Sequence, residues 1–212
     1  MPFKYSCFIS YCHGHYELMT NFVTQIKCAF ESCLEPFFNQ EVYIDESRLK
    51  PGYHYNEGLS RAICQSFCMI VIYTPTYESH SYCLREYLAM ERLEQERLHL
   101  LENQSTDMGM IIPIILRGDM KDSSSIIKSK IKDGIHYCDF SKFSLSNMDI
   151  TDSSECINKI DHIATEIYSM YQLFEDCNGD PCHGCNSFSL PSEDEVRLWK
   201  NNNVPPFPGR EE

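Results

Sequence analysis

The stretch Phe67-Cys-Met-Ile-Val-Ile-Tyr73 is an unbroken apolar run of strand length. A strand without a polar face is typical of a parallel sheet that helices cover on both sides. Segments with helical character precede the run, over about residues 55–66, and follow it, from residue 82 onward. The run therefore predicts a fully buried strand within an α/β domain.

The same alternation extends towards the amino terminus. The sequence predicts a first strand over residues 4–11, a helix after Gly14 and a second strand over residues 41–44. The helix is indicated by apolar residues that recur every three or four positions and share one face, namely Leu18, Phe22, Ile26, Ala29 and Phe30. A polar loop, residues 45–52, follows the second strand and ends in the strong turn signal Pro51-Gly52.

Strands and helices also alternate towards the carboxyl terminus. The helix that begins near residue 82 has a charged second half, residues 91–102, which we expect to be solvated. The next elements are a strand over 110–116, a short helix over 123–132, a fifth strand over 136–140 and an amphipathic helix over 155–174. Pro113 favours a sheet edge or a bulge in the fourth strand. Five strands alternating with helices predict a doubly wound parallel sheet.

Length and charge exclude several classes of function. With 212 residues the chain is long enough for one domain and short for two. The 31 acidic and 18 basic side chains give a net charge of -13, which repels phosphate backbones and anionic lipids and disfavours nucleic-acid and membrane binding. No window approaches the 18 apolar residues of a membrane span, so we expect a cytoplasmic protein.

The 12 cysteines are expected to be reduced thiols at a cytoplasmic location, without a disulfide framework. Several lie in apolar runs, where free cysteine behaves as a small hydrophobic residue: Cys7, Cys64, Cys68 and Cys138. Residues 175–212 change character and form an extension to a domain over 1–174. Within it, Cys177, Cys182 and Cys185 supply three thiolates, but His183 is badly placed to complete a zinc site. A turn with incidental thiols is favoured over a metal site.

Polar residues follow the predicted ends of three strands: 10–13, 45–52 and 82–86. Functional sites in doubly wound sheets form outside the carboxyl ends of the strands, so these segments are candidates for one site. Glu86 stands out, because its helical neighbours at three and four positions carry no charge that pairs with it. Either it complements the helix dipole, or it serves the chemistry of a site.

Successive boxes of the sequence resemble those of a TIR (Toll/interleukin-1 receptor) domain. The boxes are Cys7-Phe-Ile-Ser-Tyr11, Tyr43-Ile-Asp-Glu-Ser-Arg-Leu-Lys-Pro-Gly52, Met69-Ile-Val-Ile-Tyr-Thr-Pro75 and Ser81-Tyr-Cys-Leu-Arg-Glu86, with the strand Ile111–Ile115 following in register. The resemblance covers roughly residues 4–170, and its specificity lies in the order and spacing of the boxes. It implies a flavodoxin-like strand order for the five-stranded sheet.

The resemblance also implies two alternative functions. Some TIR domains are adaptors that assemble through the loop after the second strand, here 45–52, and others cleave or cyclise NAD+ with one glutamate that matches Glu86. The family usually has Trp four residues before this glutamate, where this chain has Tyr82, and Cys83 is retained. By the same resemblance, Tyr11, His13 and Arg48 match positions where family members contact the nucleotide. Asp45 and Arg48 lie in the assembly loop.

The enzyme interpretation is consistent with the chemistry of the reaction. Cleavage of the nicotinamide glycosidic bond passes through an oxocarbenium-like centre, which one carboxylate stabilises. Nicotinamide leaves as a neutral molecule, so we expect NAD+ as substrate with neither a metal nor a further cofactor. The resemblance extends to bacterial standalone TIR proteins of the Thoeris anti-phage type, whose product activates a separate effector. The alternative is a non-enzymatic adaptor or a mimic of host TIR signalling. A Rossmann oxidoreductase is unsupported, since no Gly-x-Gly-x-x-Gly follows the first strand.

Overall fold

The computed structural model describes residues 3–13, 17–45, 55–101, 108–118, 127, 137–143, 150–175, 177 and 179–203. In this part of the chain the strands are β1 (Tyr5–Tyr11), β2 (Glu41–Ile44), β3 (Ser66–Tyr73), β4 (Ile111–Ile115) and β5 (Cys138–Asp139). The helices are α1 (Glu17–Leu34), α2 (Tyr55–Cys64), α3 (Ser81–Leu98), α4 (Ser154–Glu175) and α5 (Glu193–Asn203), with short 3₁₀ turns at Tyr77–Ser79, His99–Leu101 and Ile150–Asp152.

The described strands form one parallel sheet of five strands in the order β2-β1-β3-β4-β5. This is the doubly wound, flavodoxin-like order that was predicted. Every residue of β3 is buried, as its apolar sequence requires. Alternate side chains of β3 enter two cores: Cys68, Ile70 and Ile72 pack with α1 and α4, and Met69, Val71 and Tyr73 pack with α2 and α3.

Two sequence-based expectations about single residues are wrong. Leu18 was predicted on the buried face of α1, but it is 48% exposed, whereas Phe22, Ile26, Ala29 and Phe30 are buried. Pro113 lies neither at a sheet edge nor in a bulge, since β4 pairs with β3 in continuous register and β5 flanks its other side. The carbonyl of Met110 and the N–H of Leu116 form hydrogen bonds with β3. Because the backbone groups of successive residues in a strand face opposite neighbours, the nitrogen of Pro113 faces β5. Because β5 begins pairing only at Ile114, no ladder hydrogen bond is lost.

Arg97 lies in the half of α3 that was predicted to be solvated, but it is only 1% exposed. Its guanidinium donates to the carbonyls of Cys64 (2.6 Å), Ser66 (2.9 Å), Phe67 (3.1 Å) and Pro181 (3.2 Å). Burial lowers the pKa of Arg97 to about 10, so the group stays charged at neutral pH. Arg97 therefore joins the end of α2, the start of β3 and the carboxyl-terminal extension.

The extension packs along α3. Val196 of α5 contacts Leu84 and Leu88, and Trp199 donates to the carboxylate of Glu91 over 2.9 Å. Arg85 donates to the carbonyl of Pro191 over 2.6 Å. The described part of the extension is therefore an appendage wrapped on the domain. None of the helices in the described ranges is long and apolar enough to cross a membrane.

Cys64 and Cys185 form a disulfide in the structure, so the expectation that all thiols are reduced is wrong for this pair. The two residues are 121 positions apart in sequence, and the packing of the extension beside the end of α2 brings them together. Cys7, Cys68 and Cys138 are free thiols, as expected. The predicted helix over 123–132 lies outside the described residues apart from Ile127.

We expect Arg97→Met to lower the free energy of unfolding by about 3 kcal/mol, because four buried carbonyls lose their donor. Arg92→Met is the matched control in the same helix, since Arg92 forms a half-exposed ion pair with Glu195. That change should cost less than about 1 kcal/mol. Urea denaturation under non-reducing conditions measures both, and equal losses would contradict the structural role of Arg97.

Candidate functional site

Glu86 lies in the second turn of α3, against the carboxyl end of β1. Its side chain is only 1% exposed. Ser10 of β1 donates a hydrogen bond from Oγ to Glu86 Oε2 over 2.6 Å. The neighbouring positions of β1 and β3 in the sheet bring this contact about, because α3 follows β3 directly and also packs against β1. The structure thus joins two of the three segments that were predicted to form one site.

A second hydroxyl extends this contact. Tyr77 lies in the 3₁₀ turn before α3, and its hydroxyl is 2.6 Å from Ser10 Oγ and 3.2 Å from the carbonyl oxygen of Cys83. Burial raises the pKa of the Tyr77 phenol, and the nearby Cys83 and Glu86 raise it further. Tyr77 is therefore a neutral hydroxyl at any physiological pH.

The predicted residue Asp45 lies at the end of β2 and is also buried. Its carboxylate accepts a hydrogen bond from the hydroxyl of Tyr55, the first residue of α2. Burial raises the pKa of Tyr43 to about 12, and the charges of Asp45 and Glu86 add to this effect. The charges of both carboxylates therefore act on the Tyr43 phenol. We call Tyr43, Asp45 and Glu86 the electrostatic neighbourhood of the site.

Tyr82 forms an aromatic rim beside this neighbourhood. Its half-buried ring meets Tyr55 edge to face with centroids 5.6 Å apart, and the guanidinium carbon of Arg85 lies 5.0 Å from the Tyr82 centroid. A surface cavity of about 370 Å³ opens at this rim, and it is lined by Tyr55, Asn56, Glu57 and Tyr82. The cavity is thus bordered by two aromatic rings and one carboxylate.

Tyr11 and His13 lie at the carboxyl end of β1. Their rings stack with centroids 4.2 Å apart, and the Tyr11 hydroxyl is 3.3 Å from His13 Nδ1. The Cys83 thiol, which is fully buried, donates to the carbonyl oxygen of Tyr11 over 3.5 Å. Cys83 therefore fixes the backbone at the strand end. Arg48 lies outside the described residues.

Sequence reasoning missed Tyr55 and Tyr77, which the structure places here, and it included Ser10 only as part of the candidate segment 10–13, with no role of its own. Ser10 stands at the end of a strand, a position that signals a site. Nothing in the sequence connects Tyr77 with Glu86, since the link between them runs through Ser10 of β1, which is distant in sequence. In the extension, Cys185 is engaged in the disulfide, and the described residues contain no group of three His, Cys, Asp or Glu that could hold a metal ion.

The family model for the TIR domain matches residues 7–150, which is more than half of the chain. The chain belongs to the TIR domain family. No curated protein sequence matches it significantly. Among solved structures, the TIR domains of the activated Roq1 resistosome, which directly recognises the pathogen effector XopQ, align with 16% identity and a TM-score of 0.38. That alignment covers 78% of this chain and 84% of the other, and likeness at this level carries no functional argument.

The effect of the two carboxylates on the pKa of Tyr43 in this TIR domain can be tested without any substrate. We expect Asp45→Asn to lower the pKa of Tyr43, because it removes the negative charge that raises this pKa most. Glu86→Gln should lower the same pKa by a smaller amount, since its charge acts more weakly on Tyr43. Titration of the tyrosine ¹³Cζ resonances by NMR, with Tyr43→Phe for assignment, measures both shifts. An unchanged pKa in both variants would separate the two carboxylates from Tyr43.

Proposed function

We propose that this TIR domain is an NAD+-consuming enzyme that cleaves the nicotinamide glycosidic bond and makes an ADP-ribose-derived product. One observation carries the proposal. Glu86, the residue that matches the catalytic glutamate of NAD+-cleaving relatives, is a buried carboxylate held by Ser10 at the carboxyl end of β1. A carboxylate acting only on the helix dipole has no need of a strand hydroxyl from another element.

The proposed chemistry balances with this carboxylate alone. The bond between the ribose C1′ and the nicotinamide nitrogen breaks, and its electron pair leaves with neutral nicotinamide. The positive charge that develops on the ribose is stabilised by the Glu86 carboxylate. The oxygen of water or of a hydroxyl group then forms a bond to C1′ and releases its proton to solvent. Water yields ADP-ribose, a hydroxyl within the same molecule yields a cyclic product, and a hydroxyl of another molecule yields a conjugate. We propose neither a metal nor a cofactor, with NAD+ as the substrate.

We propose the following substrate-binding roles. We assign Tyr82, at the rim of the cavity, to stacking on a planar ring of the substrate. Tyr11 and His13 at the end of β1, with Cys83 beneath them, are assigned to the nucleotide, and Asp45 to a ribose hydroxyl. Arg48 is assigned to the pyrophosphate, because guanidinium groups bind phosphate oxygens in pairs.

In biological terms, we propose a cytoplasmic, bacterial TIR protein of the Thoeris anti-phage type. Its cyclic or conjugated ADP-ribose product would act as a signal that activates a separate effector. Self-association through TIR surfaces, including the segment 45–52, is part of this proposal. The support is the order of the sequence boxes and the family membership of residues 7–150.

A second candidate function is a non-enzymatic interaction module, either an adaptor or a mimic of host signalling. The observation in its favour is the 1% exposure of Glu86, since a substrate reaches this carboxylate only after the groups that cover it move. An interaction module needs no access to Glu86, whereas an enzyme does. The two functions therefore differ in what removal of this side chain does.

The deciding experiment incubates the concentrated protein with NAD+ and follows nucleotides by liquid chromatography and mass spectrometry. We expect Glu86→Ala to lower turnover by at least about 100-fold while leaving the fold intact, because the developing charge loses its counter-charge. Glu91→Ala is the matched control in the same helix, since Glu91 accepts a hydrogen bond from Trp199 and lies outside the site. Full turnover in folded Glu86→Ala would overturn the mechanism, and a silent wild-type assembly would favour the interaction module.

The stacking role of Tyr82 predicts a ranked effect. We expect Tyr82→Ala to raise KM for NAD+ by about tenfold, since stacking of one ring on an aromatic side chain contributes about 1–3 kcal/mol. Tyr82→Trp should stay within about threefold of wild type, because it keeps a larger ring in the same place. Steady-state kinetics measure both variants. Equal losses in Ala and Trp would remove stacking as the role of Tyr82.

A further inference from the structure

A row of polar groups crosses the otherwise apolar interior beside β1. It runs from Glu86 to Ser10, from Ser10 to Tyr77, and from Tyr77 to the carbonyl oxygen of Cys83. All three side chains are buried. Buried polar groups are retained when they are hydrogen-bonded to one another, so this row is a connected network within the core.

The number of hydroxyl protons decides which groups of this network donate and which accept. Ser10 has one hydroxyl proton, and it is donated to the Glu86 carboxylate. Ser10 Oγ is then an acceptor, and the neutral phenol of Tyr77 is the donor that faces it at 2.6 Å. The alternative acceptor of the Tyr77 proton, the Cys83 carbonyl, is further away at 3.2 Å. Both hydroxyls therefore point towards the carboxylate whenever Glu86 is ionised.

We propose that Ser10 and Tyr77 are positioning residues for Glu86, forming a two-hydroxyl relay that holds the carboxylate in one orientation. The inference rests on the proposed function of Glu86. A glutamate side chain has three rotatable bonds, and a charge that stabilises a transition state is effective when its orientation is fixed beforehand. Ser10 is suited to this role because it is short and belongs to a strand paired on both sides.

Packing alone does not explain the two hydroxyls. The ring of Tyr77 lies 6.2 Å from that of Tyr73 within the apolar cluster between the sheet and α2 and α3. Phenylalanine would fill the same space at position 77, and alanine is compatible with a buried strand position such as 10. What the two hydroxyl groups add is the row of hydrogen bonds that joins Glu86, Ser10, Tyr77 and the Cys83 carbonyl.

The variants Tyr77→Phe and Ser10→Ala each remove one hydroxyl of the relay. We expect kcat for NAD+ to fall about 10- to 100-fold in each, with KM within about twofold, because the carboxylate loses its orientation while the cavity at Tyr82 is unchanged. The double variant should lose no more than the worse single variant, since both act through one chain of bonds. Independent, multiplying losses would overturn the relay.

Two control variants remove hydroxyls of the same kind elsewhere in the core. Ser66→Ala removes a buried strand serine that donates to Ala62, and Tyr171→Phe changes a buried tyrosine in the core on the other face of the sheet. Both should keep kcat within about twofold of wild type. Losses in the controls as large as in the relay variants would assign the effect to general destabilisation and would overturn the positioning role.

A second measurement reads the carboxylate without turnover. In protein labelled with ¹³C at glutamate Cδ, the Glu86 resonance is the one missing from Glu86→Ala. We expect this resonance to move in Ser10→Ala and in Tyr77→Phe and to stay in place in Ser66→Ala and Tyr171→Phe. An unmoved resonance in both relay variants overturns the inference. If the resonance moves but wild-type protein leaves NAD+ intact, the proposed function fails and the positioning of Glu86 stands.

Discussion

The burial of β3 on both faces is the constraint on which the rest of the structure depends. A strand of eight buried residues has to be covered by helices above and below the sheet. The chain meets this requirement by alternating strands with helices, so that α1 and α4 pack on one side and α2 and α3 on the other. The parallel connections that result gather the carboxyl ends of the strands at one edge, where Ser10, Asp45 and Glu86 are found.

Helix α3 carries one buried charge at each end of this sheet. Glu86 meets the carboxyl end of β1, and Arg97, eleven positions later, meets the start of β3, about 16 Å further along the helix. The guanidinium is satisfied by backbone carbonyls, so its role is to join elements. The carboxylate accepts a hydrogen bond from the hydroxyl of Ser10, which in turn contacts the hydroxyl of Tyr77 in the core. One helix thus supplies both the anchor of the fold and the candidate catalytic group.

The fold was predictable because it follows from local patterns. The apolar run of β3, the turn signals and the helical periods give the five strands and the helices α1 to α4 to within a few residues, whereas α5 in the extension was not predicted. The misplaced residues are those decided by tertiary neighbours. Arg97 reads as a surface charge until α2, β3 and the extension surround it. Pro113 reads as an edge residue, but β5 flanks β4, and proline is tolerated there because β5 pairs only from Ile114 onward. Glu86 was identified because its helical neighbours carry no charge that pairs with it and because it matches the family motif. Its link to Tyr77 passes through Ser10 of β1 and leaves no signal in the sequence.

The disulfide between Cys64 and Cys185 makes the intervening chain a closed covalent ring. With its ends 121 positions apart, such a ring lowers the chain entropy of the unfolded state by an amount equivalent to about 5 kcal/mol. β3, α3 and Glu86 all lie inside the ring, while β1 and Ser10 lie outside it. The contact between Ser10 and Glu86 therefore joins a residue outside the covalent ring to a residue inside it. Reduction of the disulfide would open this ring and remove its contribution to the stability of the whole fold.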